Sequence, residues 1–78
     1  MDYNSLDLRN KTIFDFTNDP AILGELVSTT DKETFLNGLT PIARAFSLID
    51  YAEYIQDEKM IAAVEAEFHN ELESFFNE

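Results

Sequence analysis

Residues 40–78 read TPIARAFSLIDYAEYIQDEKMIAAVEAEFHNELESFFNE and make up half of the chain. Thr40 followed by Pro41 predicts a helix start, because Thr caps helix N-termini and Pro in the first turn loses no helical hydrogen bond. No Gly or Pro follows Pro41. Apolar residues then recur at steps of three and four in two runs, which predict helices at residues 41–55 and 57–76. The predicted core stripes are Ile42, Ala45, Phe46, Ile49, Ala52 and Ile55 in the first helix, and Met60, Ile61, Val64, Phe68, Leu72 and Phe75 in the second.

Residues 56–59, QDEK, lie between these two runs and are all tolerated inside helices. An uninterrupted helix of about 37 residues would be about 55 Å long, which is too long for so small a domain to cover. We therefore expect a break at this point, with Asp57 capping the second helix. The two helices should then pack antiparallel.

Upstream of this stretch, Asp19 and Pro20 give another cap-then-proline signal and predict a helix at residues 20–27. Residues 30–33, TDKE, have the form of a capping box and predict a short helix at residues 31–36.

The first 18 residues follow neither a helical nor a strand period. We expect an irregular or extended segment whose Ile13, Phe14 and Phe16 side chains dock on the core. The sequence thus predicts an all-α fold, a small bundle of about four helices in a single acidic domain spanning residues 1–78.

The composition favours a folded protein in a reducing compartment. The chain has 45% hydrophobic residues, seven Phe and three Tyr, which is too many for a disordered acidic tail. It has no Cys, so a disulfide framework, a thiol nucleophile and a cysteine zinc site are all excluded. The N-terminus lacks the basic start and apolar run of a secretory signal, and no apolar stretch is long enough to span a membrane. We expect a cytoplasmic protein.

Sixteen acidic and five basic residues give a formal net charge of -11. This charge repels phosphate and anionic lipid, so direct binding to nucleic acid or to a membrane is not expected. A basic protein surface, such as that of a nucleic-acid-binding protein, is the natural complement. The other interpretation is that the charge serves only to keep the protein soluble.

The acidic residues concentrate in the second half of the chain. From Asp50 onward there are nine acidic residues and a single basic one, Lys59. Like charges at i and i+4 repel one another on a helix, and no cation nearby in sequence relieves them. We predict that this surface binds a partner, with exposed aromatic residues as apolar anchors. The predicted partner-binding residues are Asp50, Glu53, Asp57, Glu58, Glu65, Glu67, Glu71, Glu73, Tyr54 and Phe76.

No catalytic, cofactor or metal motif stands out. Glu65, His69 and Glu73 share one helix side, but a di-iron motif needs Glu three residues before His, where this chain has Ala66. No calcium-loop sequence occurs, and two Gly residues exclude a glycine-rich phosphate loop. We expect no bound metal, no cofactor and no enzymatic activity.

Two functions remain from the sequence. The first is a non-catalytic inhibitor of the phage or mobile-element type, such as an anti-CRISPR or anti-restriction protein, which blocks a basic nucleic-acid-binding site by charge mimicry. The second is a helical structural or regulatory subunit that acts through homodimerisation or a partner helix. The adjacent Phe75 and Phe76 cannot both join one apolar stripe, so the surplus side chain either forms an exposed patch for a partner or is covered by the N-terminal segment.

Overall fold

A computed structural model of the chain describes residues 3–26 and 36–77. Within these ranges the chain forms four α-helices and three short 3-10 helices, without any strand, which confirms the predicted all-α fold. None of the helices in these ranges is long and apolar enough to cross a membrane. The 3-10 helices are Tyr3–Ser5, Leu8–Asn10 and Ile13–Asp15, and the α-helices are α1 (Pro20–Glu25), α2 (Pro41–Tyr54), α3 (Glu58–Glu67) and α4 (His69–Phe76).

The helix predicted at residues 20–27 is present as α1. Asp19 caps it, because its carboxylate accepts a hydrogen bond from the Ala21 amide at 2.9 Å, and Pro20 opens the first turn. Leu26 is extended, with ψ 152°, and ends the helix.

The helix predicted at residues 31–36 lies almost wholly outside the described residues and stays a prediction. Gly38, just beyond it, is buried and has a left-handed φ of 59°. A Cβ atom at Gly38 would lie 3.1 Å from the Nε atom of Arg44. The Nη2 group of Arg44 also donates a hydrogen bond to the Gly38 carbonyl at 3.0 Å. Both the conformation and the close contact favour glycine here.

The start of α2 matches its sequence signal. The Thr40 hydroxyl accepts a hydrogen bond from the Ala43 amide at 3.1 Å, and Pro41 occupies the first turn. The helix ends at Tyr54, one residue before the predicted end of the 41–55 helix.

The predicted break after α2 is confirmed and forms a Schellman motif. The Asp57 amide donates to the Ala52 carbonyl at 2.9 Å, and the Gln56 amide donates to the Glu53 carbonyl at 3.1 Å. Gln56 adopts a left-handed φ of 58°, which turns the chain out of the helix. The Asp57 carboxylate then caps α3 by accepting from the Met60 amide at 3.2 Å. One residue thus ends one helix and starts the next.

The predicted single helix at residues 57–76 is wrong, because Phe68 (φ -107°, ψ 24°) divides it into α3 and α4. The cause lies in the N-terminal segment. The Glu67 carbonyl accepts a hydrogen bond from Nη1 of Arg9 at 2.8 Å, whereas an uninterrupted helix would direct it to the Glu71 amide. A side chain that enters the hydrogen-bond ladder of a helix in this way bends it.

The main core forms where α2 packs against α3, and the N-terminal segment contributes Leu8 to it. A second, smaller cluster joins Ile13 to Leu26. The predicted docking of the N-terminal segment is therefore confirmed for Ile13, and also for Phe16, which packs against the main core. The buried residues of the main core are Leu8, Ala45, Leu48, Ala52, Met60, Ala63, Val64 and Phe68.

The helices pack antiparallel as predicted. The start of α2 lies beside the end of α4, since Ile42 and Ser74 line the same cleft. Further along α2, the Phe46 ring lies 5.1 Å from the Phe75 ring, centroid to centroid.

Three predicted core residues are instead exposed. Phe14 is 37% exposed, Ile55 is 39% exposed and Phe75 is 49% exposed. Ile55 lies in the reversal between α2 and α3. Phe75 follows the bend at Phe68, so it no longer continues the apolar stripe of α3.

We predict that Phe68→Ala lowers the free energy of unfolding by about 3–5 kcal/mol, because the Phe68 side chain is fully buried. Phe76→Ala is the matched control. Its side chain is 70% exposed, so its effect should stay within about 0.5 kcal/mol. Urea denaturation of both variants measures this, and equal losses would contradict the described core.

We also predict that Gln56→Gly stabilises the protein by up to about 1 kcal/mol, because glycine adopts the left-handed conformation without a Cβ clash. Gln56→Ala keeps the Cβ atom and should give no gain. Thermal unfolding of the two variants tests the reversal. A Gly variant no more stable than the Ala variant would show that residue 56 is not left-handed.

Candidate functional site

A groove of about 530 Å³ lies between α2 on one side and α3 with α4 on the other. We call it the acidic groove. Its volume lies within the range of about 300–1,000 Å³ that is typical of binding pockets. The lining residues are Phe46, Ile49, Asp50, Glu53, Glu65, His69, Leu72, Glu73 and Phe76.

Helical spacing explains why these side chains share one groove. Phe46, Ile49 and Glu53 follow steps of three and four on α2, so they lie on one face. Glu65 and Leu72 belong to α3 and α4, which the reversal folds back along that face.

The polar lining of the acidic groove is almost entirely anionic. Four of its nine residues carry carboxylates, and neither Lys nor Arg occurs in this lining. The imidazole of His69 lies 3.1 Å from a Glu73 carboxylate oxygen, and both side chains are more than half exposed. The groove therefore presents negative charge on two helical walls.

The apolar part of the groove continues into a partly exposed aromatic cluster. The Phe76 ring lies 6.3 Å from the Phe46 ring and 5.4 Å from the Phe75 ring, with edge-to-face geometry in both pairs. Phe76 is 70% exposed. This cluster gives a partner an aromatic surface next to the carboxylates.

Glu71 does not belong to this surface. It forms a salt bridge with Arg9, whose guanidinium also lies 5.1 Å from the centre of the Phe68 ring. The hydrogen bond from Arg9 holds the pKa of Glu71 below its ordinary value, and the same bond raises the pKa of Arg9. No cation lies near Glu71 in sequence, as expected, but the fold brings Arg9 to it from a distant part of the chain.

Asp57 likewise has an internal role. Besides capping α3, it accepts a hydrogen bond from the Tyr3 hydroxyl at 2.6 Å. The Tyr3 hydroxyl and the Met60 amide lower the pKa of the Asp57 carboxyl, and the hydrogen bond to Asp57 raises the pKa of Tyr3 to about 12. Asp57 thus holds the N-terminal segment against the start of α3.

The structure divides the predicted partner-binding residues into three sets. Asp50, Glu53, Glu65, Glu73 and Phe76 line the acidic groove. Asp57 and Glu71 bind the N-terminal segment. Glu58, Glu67 and Tyr54 are exposed outside the groove lining.

Sequence reasoning missed four groove residues: Phe46, Ile49, His69 and Leu72. The three apolar ones were assigned to core stripes, and they are indeed partly buried. Two of them carried a signal in an acidic neighbour, since Asp50 follows Ile49 and Glu73 follows Leu72. Such neighbours mark the edge of an apolar face rather than its centre.

No group of three or more His, Asp or Glu side chains is placed to hold a metal ion in the two ranges that the structure describes. A second cleft, of about 410 Å³, lies on the other side of α4 between Ile42 and Ser74. Its one carboxylate is that of Glu71, which Arg9 already binds.

No protein-family model, curated protein or solved structure matches this chain.

We predict that Glu71→Gln lowers the thermal midpoint at neutral pH, because it removes the charged partner of Arg9. The lowered pKa of Glu71 means that the pair stabilises the fold above about pH 4.5, the ordinary value for this carboxyl. That contribution is lost as the pH falls through the lowered pKa. The difference in midpoint between the wild type and Glu71→Gln should therefore shrink in acid.

Glu65→Gln is the control for this measurement, because the exposed Glu65 lies in the groove and has no ion pair within the described residues. It should not lower the midpoint at neutral pH. A midpoint for Glu71→Gln equal to that of the wild type at neutral pH would contradict a stabilising role for the Arg9 pair.

Proposed function

We propose that this protein is a non-catalytic acidic binding protein that blocks a basic surface of another protein. The acidic groove carries the proposal. Glu53 and Glu65 bring carboxylates to it from two helices, and no Lys or Arg lies in its described lining. Because the carboxylates project from helices, their backbone positions are fixed relative to one another, which suits them to a fixed set of cations.

The most concrete form of this function is an inhibitor of the phage or mobile-element type, such as an anti-CRISPR or anti-restriction protein. It would occupy the nucleic-acid-binding site of its target by charge mimicry. The net charge of -11 supports this, since a site that attracts phosphates also attracts dense carboxylates. The absence of Cys fits the reducing cytoplasm, where such targets act.

The make-up of the groove favours binding over catalysis. Of the residue types that serve as nucleophiles, its lining has carboxylates and one His but no Ser, Thr, Cys or Lys. Its one His is 72% exposed, so nothing holds that imidazole in a water-excluded site. We therefore propose no reaction and no cofactor.

The predicted contact residues differ in what they would contribute. The groove residues Asp50, Glu53, Glu65 and Glu73 would pair with Lys and Arg of the target, and Phe76 would be the apolar anchor. Glu58 and Glu67 would extend the negative field around the contact. The role of Asp57 and Glu71 would be indirect, through the fold that holds the groove.

A second candidate function is a structural or regulatory helical subunit that acts through homodimerisation. The aromatic cluster of Phe46, Phe75 and Phe76 favours it, because Phe75 and Phe76 are exposed and apolar patches at a protein surface often mark interfaces. In that case the carboxylates of the groove would only keep the protein soluble. Static light scattering would then find a dimer that Phe76→Asp converts to a monomer and that groove charge reversals leave intact.

The test of the proposed function measures displacement of duplex DNA from purified restriction endonucleases and CRISPR effector nucleases. We predict that the wild type displaces DNA from at least one of them, and that added salt weakens this steeply. The double variant Glu53→Lys/Glu65→Lys should bind at least tenfold more weakly, because it reverses charge on both groove walls.

The matched control is Glu58→Lys/Glu67→Lys, which changes the net charge equally but outside the groove lining. It should retain most of the displacement. If the wild type displaces DNA from none of the nucleases, the proposal is overturned. Equal losses in the two double variants would show that net charge acts without the groove.

A further inference from the structure

The acidic groove has features that specify the kind of segment it binds. It combines an apolar floor, formed by Phe46, Ile49 and Leu72, with carboxylates on both walls. A purely ionic ligand would leave this floor and the exposed Phe76 uncovered. A purely apolar ligand would bury carboxylates without cations, which costs free energy.

The dimensions suit a short helix. Phe46 and Glu53 are seven residues apart on α2, or about 10 Å of helix. Glu65 and Phe76 are separated along α3 and α4 by about 16 Å. Two or three turns of a partner helix, about 11–16 Å long, would match these walls.

The backbone of the groove walls also favours a helical partner. The walls are helices, whose backbone N–H and C=O groups are bonded internally, so they offer no strand edge to an extended peptide. A helix satisfies its own backbone and docks through side chains alone. It can therefore fill a groove between two helices.

A second copy of this chain does not supply the required charge. Two of its five basic residues are engaged internally: Arg9 binds Glu71, and Arg44 donates to the carbonyls of Arg9 and Gly38. A second copy would also bring a further net charge of -11 to the groove. Charge complementarity therefore selects a basic segment of a different protein.

We propose that the acidic groove binds a basic amphipathic helix of the target protein. Large apolar side chains of that helix lie on Phe46 and Leu72 and against Phe76. Its Lys or Arg residues, on both edges of the apolar stripe, pair with Glu53 on one wall and with Glu65 and Glu73 on the other. This inference rests on the proposed function and names the part of the target that is recognised.

The test uses two synthetic peptides of identical composition, rich in Leu, Lys and Ala. In the patterned peptide Leu recurs at steps of three and four with Lys at the edges of the stripe, and in the scrambled peptide this order is lost. Fluorescence anisotropy with the 78-residue chain should show at least tenfold tighter binding of the patterned peptide. Amide shift changes in the NMR spectrum should centre on the groove residues.

Two variants distinguish a specific contact with Phe76 from nonspecific apolar binding. Phe76→Ala should weaken binding of the patterned peptide by about tenfold or more, as expected for an aromatic anchor. Leu39→Ala removes another exposed apolar side chain, one that is 68% exposed and outside the groove lining, and should leave the affinity unchanged. Circular dichroism checks that both variants keep their helices.

Equal affinity for the two peptides, or shift changes away from the groove, would overturn this inference. The DNA-displacement test could still succeed in that case, because charge mimicry does not require a helix. Self-association of the wild type through the groove, seen by sedimentation and blocked by Phe76→Asp, would overturn it in favour of a second copy. If the wild type binds the patterned peptide at the groove but displaces no DNA, the proposed inhibitor function is rejected. The proposal that the groove binds a basic helix then stands.

Discussion

The reversal between α2 and α3 is the constraint on which the rest of the structure depends. Gln56 leaves the helix in a left-handed conformation, and Asp57 caps the next helix immediately. In an uninterrupted helix, Glu53 and Glu65 would be separated by about 18 Å along a single rod. The reversal instead puts them on two walls of one groove with an apolar floor. Acidic residues that follow one another along the sequence are thus placed on opposite walls of a groove.

The N-terminal segment decides which carboxylates remain available to a partner. Tyr3 binds Asp57 at the start of α3, and Arg9 binds Glu71 beyond the bend. These two contacts hold the segment against the helices and let Leu8 enter the core. The carboxylates of the acidic groove lie apart from both contacts. The same residue type therefore stabilises the fold in one place and charges an open surface in another.

The sequence predicted those features that local chemistry determines. Thr40 and Asp57 act as caps wherever a helix follows them, so the start of α2 and the break before α3 could be predicted. The bend at Phe68 could not, because Arg9, which binds the neighbouring carbonyl, lies 58 residues away from it in sequence. The acidic residues from Asp50 onward were predicted to form one undivided surface. Its division between groove and fold depends on which helices pack together, and no local pattern contains that information.

The most direct test of the reversal between α2 and α3 is a distance across the helix pair. The chain has no Cys, so spin labels can be attached at Ile42→Cys and Ser74→Cys without further changes. These positions line one cleft in the folded chain, whereas an uninterrupted helix would separate them by about 48 Å. Double electron–electron resonance should give a single short distance between the two spin labels. A distribution centred near the length of the uninterrupted helix would contradict the reversal, and with it the acidic groove.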